Sequence, residues 1–162
     1  MHVAINAHLL AHTRSFRRAG ISHYVEQVLV QLGQIDQHNR YSVYTTRGLD
    51  QTALRLPPNF RVIPSRLPTI NPRVRIPWEQ MLAPLLLRRS GADLFHGVHS
   101  VVPLASSLPS VVTVHDLAFI RFTQTFRGYN RAYLDVATRL SVRRAARILV
   151  VSEHTRREVM GL

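Results

Sequence analysis

Four short apolar runs in this 162-residue chain each end in polar groups able to do chemistry. "HVAINA" is followed by His8, with Asn6 near its end. "DLFH" ends in His96, with Gly97, His99 and Ser100 after it. "VVTVHD" ends in His115 and Asp116, and "ILVVSE" ends in Ser152 and Glu153. An imidazole donates or accepts near neutral pH, which makes His115 the candidate catalytic residue. Asp116, His96 and Ser152 are candidates for binding a polar ligand. Each also has a plainer duty. Asp116 can bond the backbone of the turn that follows it. Ser152 suits a helix N-cap, with Glu153 favourable in the first turn. His96 and His99 are two imidazoles in one loop, too few for a metal without further ligands, so no metal site is expected.

The elements that must position these groups follow from periodicity. His2 to Ala7 reads as a strand. Ile21, Tyr24, Val25, Val28, Leu29 and Leu32 recur at three-and-four spacing, one face of a helix, with Gly20 before it and Gly33 near its end. Tyr41–Thr46 and Phe60–Ser65 read as strands, with a short helical segment expected around Leu49–Leu54. "RLPTINPRVRIP" is expected to be an extended loop, and Trp78–Arg89 a buried helix kinked by Pro84. Strands follow in "ADLFHG" and "SVVTVH". A helix from about Gly128 to Ala146 puts Tyr129, Tyr133, Val136, Ala137 and Leu140 on one face. "RILVVS" is the last strand and "EHTRREVM" the last helix. Nearly continuous apolar strands alternating with helices define an α/β domain with an open, doubly wound, mostly parallel, Rossmann-like sheet. In such a sheet ligands bind beyond the carboxyl ends of the strands, where the four polar clusters fall.

The composition narrows the function. There is no cysteine, which excludes disulfides and thiolate metal sites. No apolar run approaches the length of a membrane span. "MHVAINAHLL" lacks the features of a signal peptide, so a cytoplasmic location is expected. The formal charge is +12, and all 21 basic residues are arginine. That charge suits phosphate, nucleic acid or an acidic membrane face. The arginines are scattered in pairs, and no aromatic-interleaved basic stripe marks a specific nucleic-acid site. The first strand is not followed by a three-glycine dinucleotide fingerprint or a Walker A loop. Only Gly20 stands before the helix, where backbone N–H groups can approach a phosphate.

Several blocks, in order, resemble the group 1 glycosyltransferases, glycosyltransferase family four of the two-domain GT-B fold. "RRAGISHYVEQVL" resembles the family's glycine-containing loop and helix. "IPWEQMLAPLLLRRSGADLFHGVHSVVPL" is similar to its helix and following strand. "VVTVHDLAF" matches its His-Asp strand, and "RILVVSEHTRREV" resembles its late strand and helix. The resemblance implies that residues 1–162 are the N-terminal, acceptor-binding half of a GT-B enzyme, with a C-terminal donor-binding domain to follow. It implies retaining transfer of a sugar from a nucleotide-diphosphate sugar to a saccharide or lipid-linked acceptor, with no cofactor. Gly20 and Ala19, where the family usually has a glycine pair, would lie by the donor diphosphate. His115 would face the donor sugar, with Asp116, His96 and Ser152 near donor sugar or acceptor. A lipid-linked acceptor implies peripheral contact with the inner face of a membrane, for which Arg73, Arg75, Trp78, Arg88 and Arg89 are candidates. Charge alone would also suit a non-catalytic anion- or nucleic-acid-binding module.

Overall fold

The computed structural model describes residues 1–10, 20–49, 54–121 and 128–162. Ala19, most of the segment around Leu49–Leu54, and the loops at 13–18 and 122–127 lie outside the described residues.

Six parallel strands form one sheet in the order β3-β2-β1-β4-β5-β6. They are β1 (His2–Ala7), β2 (Arg40–Thr45), β3 (Phe60–Pro64), β4 (Leu94–Gly97), β5 (Ser110–Val114) and β6 (Arg147–Val150). The first three strands step outward in one direction, and β4 then returns to the other side of β1. The order therefore reverses between β1 and β4, the switch point at which an open parallel sheet leaves a crevice. This is the Rossmann-like α/β arrangement expected from the sequence.

The helix α1 (Ile21–Ile35) buries Val25 and Leu29 against Val3, Ile5, Val43 and Phe60 on one face of the sheet. The opposite face carries Trp78, Ala83, Leu87, Phe95, Val112 and Val114. Each side of the sheet thus meets apolar side chains, which is why its central strands are apolar almost throughout.

Two expectations are corrected. The proline-rich stretch is not extended along its whole length, because helix begins at Pro72. Asn71 caps that helix, its side chain accepting from the Arg73 N–H at 3.0 Å, and proline at the first position needs no N–H there. The run continues as α2 (Pro72–Pro77), a π-type turn (Trp78–Leu82) and α3 (Ala83–Ser90). The wide turn lies between Pro77 and Pro84, where the regular hydrogen-bond ladder loses donors. Nor is this segment buried all round. Trp78, Ala83 and Leu87 face the core, while Met81, Leu82, Leu85 and Leu86 are exposed.

The second correction concerns α5 (Gly128–Arg144), which follows the short α4 (Ala118–Arg121). Its buried positions are Ala137, Thr138 and Ser141, while Tyr129, Val136 and Leu140 are exposed. Small side chains let this helix approach the backbone closely: the Val102 N–H donates to Ser141 Oγ at 3.0 Å. Of the expected face, Ala137 is buried and Tyr133 part-buried, while Tyr129, Val136 and Leu140 lie off the buried stripe. The chain ends in α6 (Glu153–Met160), whose Val159 joins the core.

Candidate functional site

Because all six strands are parallel, the four polar clusters come to one edge of the sheet. His115 follows β5 directly. Its Nε2 donates to the Val98 carbonyl at 2.8 Å, so a neutral ring keeps its lone pair on Nδ1. The ring meets Tyr24 of α1 edge-on, with centroids 4.7 Å apart. The His115 carbonyl accepts from Thr155 Oγ1 at 3.0 Å. The histidine is thus held by the loop after β4, the first turns of α1 and the start of α6.

The other expected residues gather around it in different ways. Ser152 caps α6, accepting from the Thr155 N–H at 3.1 Å, and its hydroxyl lies 2.9 Å from Thr155 Oγ1. It therefore touches the residue that holds His115. Asp116 is exposed, and its Oδ1 accepts from the Ala118 N–H at 2.9 Å, bracing the turn into α4. Gly20 precedes α1 with φ 63°, a left-handed conformation that favours glycine, and a Cβ there would meet open space. The first turn of α1 carries no acidic residue, and Gly20 offers no side-chain cap. His96 lies within β4 rather than beyond it. Its Nε2 meets Thr113 Oγ1 at 2.9 Å, and it lines an apolar groove beside α1. Burial lowers its pKa to about 4. The fold therefore brings His115, Ser152, Asp116 and the start of α1 together, with His96 one layer beneath.

A second cluster fills the switch point, and the sequence reading found only part of it. Asn6, His8 and His99 were legible as polar groups at strand ends. Glu79 and Tyr133, read as ordinary helix positions, complete it. Glu79 is only 2% exposed. Its Oε1 accepts from His99 Nε2 at 2.7 Å and Asn6 Nδ2 at 3.2 Å, with Arg75 Nε at 3.5 Å; its Oε2 accepts from the Tyr133 hydroxyl at 3.3 Å. Burial alone would raise the Glu79 pKa, but His99, Arg75 and Asn6 together hold it below its usual value. Burial drops the His8 pKa to about 3, leaving a neutral ring whose Nδ1 meets Thr69 Oγ1 at 2.6 Å. Its edge packs on Trp78 with centroids 4.0 Å apart. One signal could have flagged Glu79: a carboxylate beside Trp78 on the apolar side of a helix must find partners when buried.

Both clusters act on the same loop. Residues 98–102 are all buried. His115 holds the Val98 carbonyl and Glu79 holds the His99 ring. The Ser100 N–H donates to the Thr113 carbonyl at 2.8 Å, and Gln80 Nε2 donates to the Val102 carbonyl at 3.2 Å. Ser100 has φ 61°, a strained conformation for a non-glycine residue. Gly97 is required beside it, since a Cβ there would collide with the Val101 carbonyl oxygen. Among the described residues no group of three or more acidic, histidine or cysteine side chains is arranged to hold a metal.

A parallel Rossmann-like sheet with its polar groups collected at the carboxyl edge is an α/β domain built to take a ligand at that edge, an arrangement consistent with the N-terminal domain of a GT-B fold. Residues 18–162 match the sequence profile of Glycosyltransferase Family 4, and the chain belongs to that family. A comparison with curated proteins finds no match.

Proposed function

We propose that residues 1–162 are the acceptor-binding half of a retaining glycosyltransferase that moves a sugar from a nucleotide-diphosphate sugar to a saccharide or lipid-linked acceptor. The observation that carries this reading is His115, fixed at the crevice with its Nε2 spent on Val98 and its Nδ1 left as an acceptor. From there Nδ1 accepts a hydrogen bond from a donor-sugar hydroxyl, orienting the ring and stabilising charge as the glycosidic bond breaks. The segment Ala19-Gly20 before α1 receives the donor diphosphate, the helix N-terminus favouring negative charge. In this reading backbone N–H groups and arginine meet the phosphate charge, with no resident metal or cofactor. A second, donor-binding domain supplies the facing wall of the cleft.

The enzyme works in the cytoplasm, at the inner face of a membrane. No helix among the described residues is long and apolar enough to cross a bilayer. Peripheral contact is supported by exposed Met81, Leu82, Leu85 and Leu86 beside Arg88 and Arg89, apolar and cationic groups on one helical surface.

The test is transfer of labelled sugar from a panel of nucleotide sugars. Residues 1–162 alone should fold and transfer nothing. Joined to a donor-binding domain they should transfer, and His115→Ala should lower kcat by about a hundredfold. Turnover by residues 1–162 alone at the two-domain rate, or an unimpaired His115→Ala enzyme, would overturn the reading.

A further inference from the structure

A concave surface with basic walls lies away from the carboxyl edge. A cleft of about 600 Å³ opens where the starts of β1 and β2, the strand β3 and the end of α3 meet. Three arginines line it from three separate elements: Arg40 on β2, Arg61 on β3 and Arg89 on α3. All three are exposed, and none has a carboxylate partner among the described residues. The two carboxylates tied to lining residues are already engaged. Asp36 accepts from the Tyr41 hydroxyl, and Asp93 accepts from the His2 N–H at 2.7 Å. Arg89 also complements the C-terminal dipole of α3, but Arg40 and Arg61 have no such duty.

The rest of the cleft suits a ligand with more than a bare charge. Ile63 and Leu86 supply apolar wall, while the Ser42 and Ser90 hydroxyls are engaged with His2 Nε2 and the Leu87 carbonyl, each at 2.8 Å. Tyr44 also lines the cleft, its hydroxyl bonded to Ser90. Planar guanidiniums reaching one cleft from three elements match a phosphate group, which takes several charge-assisted hydrogen bonds at once. We propose that this cleft is a second binding site, recognising the phosphate of a phosphorylated ligand at the sheet edge opposite the crevice. The phosphate belongs either to a soluble ester or to a lipid headgroup; the chemistry of recognition is the same. The site is independent of the sugar-transfer reading.

The probe is inorganic pyrophosphate, titrated calorimetrically into residues 1–162. A Kd of about 1 mM or tighter is expected. The double variant Arg61→Ala/Arg89→Ala should weaken it at least about tenfold, the scale of losing charge-assisted bonds. Both side chains are exposed, so melting should confirm an intact fold. The variant Arg143→Ala/Arg157→Ala removes the same charge elsewhere and should bind like the parent. Co-sedimentation with phosphatidylglycerol vesicles separates the sources. Capture that Arg61→Ala/Arg89→Ala abolishes, and that pyrophosphate competes away, identifies a headgroup; pyrophosphate binding without capture identifies a soluble ester. Absence of pyrophosphate binding, equal affinity in Arg61→Ala/Arg89→Ala, or equal weakening in the charge-matched variant would each overturn the proposal.

Discussion

Replacing Glu79 by leucine tests whether the buried carboxylate organises the switch point. The substitution leaves His99 Nε2, Asn6 Nδ2, the Tyr133 hydroxyl and the Arg75 guanidinium without their shared acceptor. Removing one partner from a buried charged pair costs about 3–5 kcal/mol, because the remaining charge has no compensation. For a chain of this size each kcal/mol lowers Tm by about 2–4 °C, so a fall of about 6–20 °C is expected. Glu79→Gln keeps an amide oxygen for His99 and should fall less. Circular dichroism melts at several pH values give the readout. Glu79 is held below its ordinary pKa of 4.5 in the fold. Its contribution is therefore complete above that value and is lost as pH falls through the lower, folded one. The gap between the parent and Glu79→Gln should be constant near neutrality and shrink below pH 4.5. A Glu79→Leu Tm within about 3 °C of the parent would refute the reasoning, since a buried carboxylate with four partners cannot be removed so lightly.

His8, with a pKa of about 3 in the fold, binds a proton in the unfolded chain from pH 6.5 downward, so stability falls with pH across that window. At pH 5 the loss is about 2 kcal/mol for His8 and of similar size for His96, whose folded pKa of about 4 also lies below that pH; a Tm unchanged between pH 7 and pH 5 would contradict this. His115→Ala, besides its effect on kcat, removes a hydrogen bond to Val98, so Tm should drop by about 2–4 °C. Asp116→Ala, losing one exposed bond to Ala118, should cost less stability than His115→Ala; paired melts decide between them. Ser152→Ala should cost about 1 kcal/mol through the lost cap of α6, and Ser152→Gly only a few tenths, a ranking that denaturant titration resolves.

The strands were legible because their apolar runs have no competing explanation. β1 spans the residues expected of it, and the others differ at their ends by a residue or two. α1 was equally plain, since Val25 and Leu29 repeat at helical spacing and are both fully buried. The helix at Pro72 was hidden by prolines that read as loop. One of them opens the helix behind the Asn71 cap, and the wide turn at Trp78–Leu82 accommodates the others. The α5 face was misread because its core positions, Ala137, Thr138 and Ser141, are small or hydroxylic. Among site residues, histidines after strands were visible from topology alone. Glu79 was not, because its partners come from β1, the loop after β4 and α5, and no spacing within one segment records that meeting.

The placement of Glu79 also explains why the crevice has a defined wall at all. At the switch point β1 and β4 part, and neither strand end can complete the other. The loop 98–102 closes the gap, but it does so with Ser100 in a strained conformation and with buried backbone groups that need partners. Those partners come from outside the loop: His115 for Val98, Thr113 for Ser100, Ser141 and Gln80 for Val102. Glu79 adds a further tie, accepting from His99 Nε2 at 2.7 Å. His115 therefore serves two demands. Its Nε2 fixes the loop, and that same bond sets the tautomer that leaves Nδ1 to accept. A histidine immediately after a buried strand meets both demands in one side chain. The substitution His115→Gln separates them, because a glutamine amide could still donate to Val98 yet could not present an imidazole nitrogen. It should recover most of the stability lost in His115→Ala while recovering little of the rate, and recovery of both would show that the loop tie is the residue's whole role.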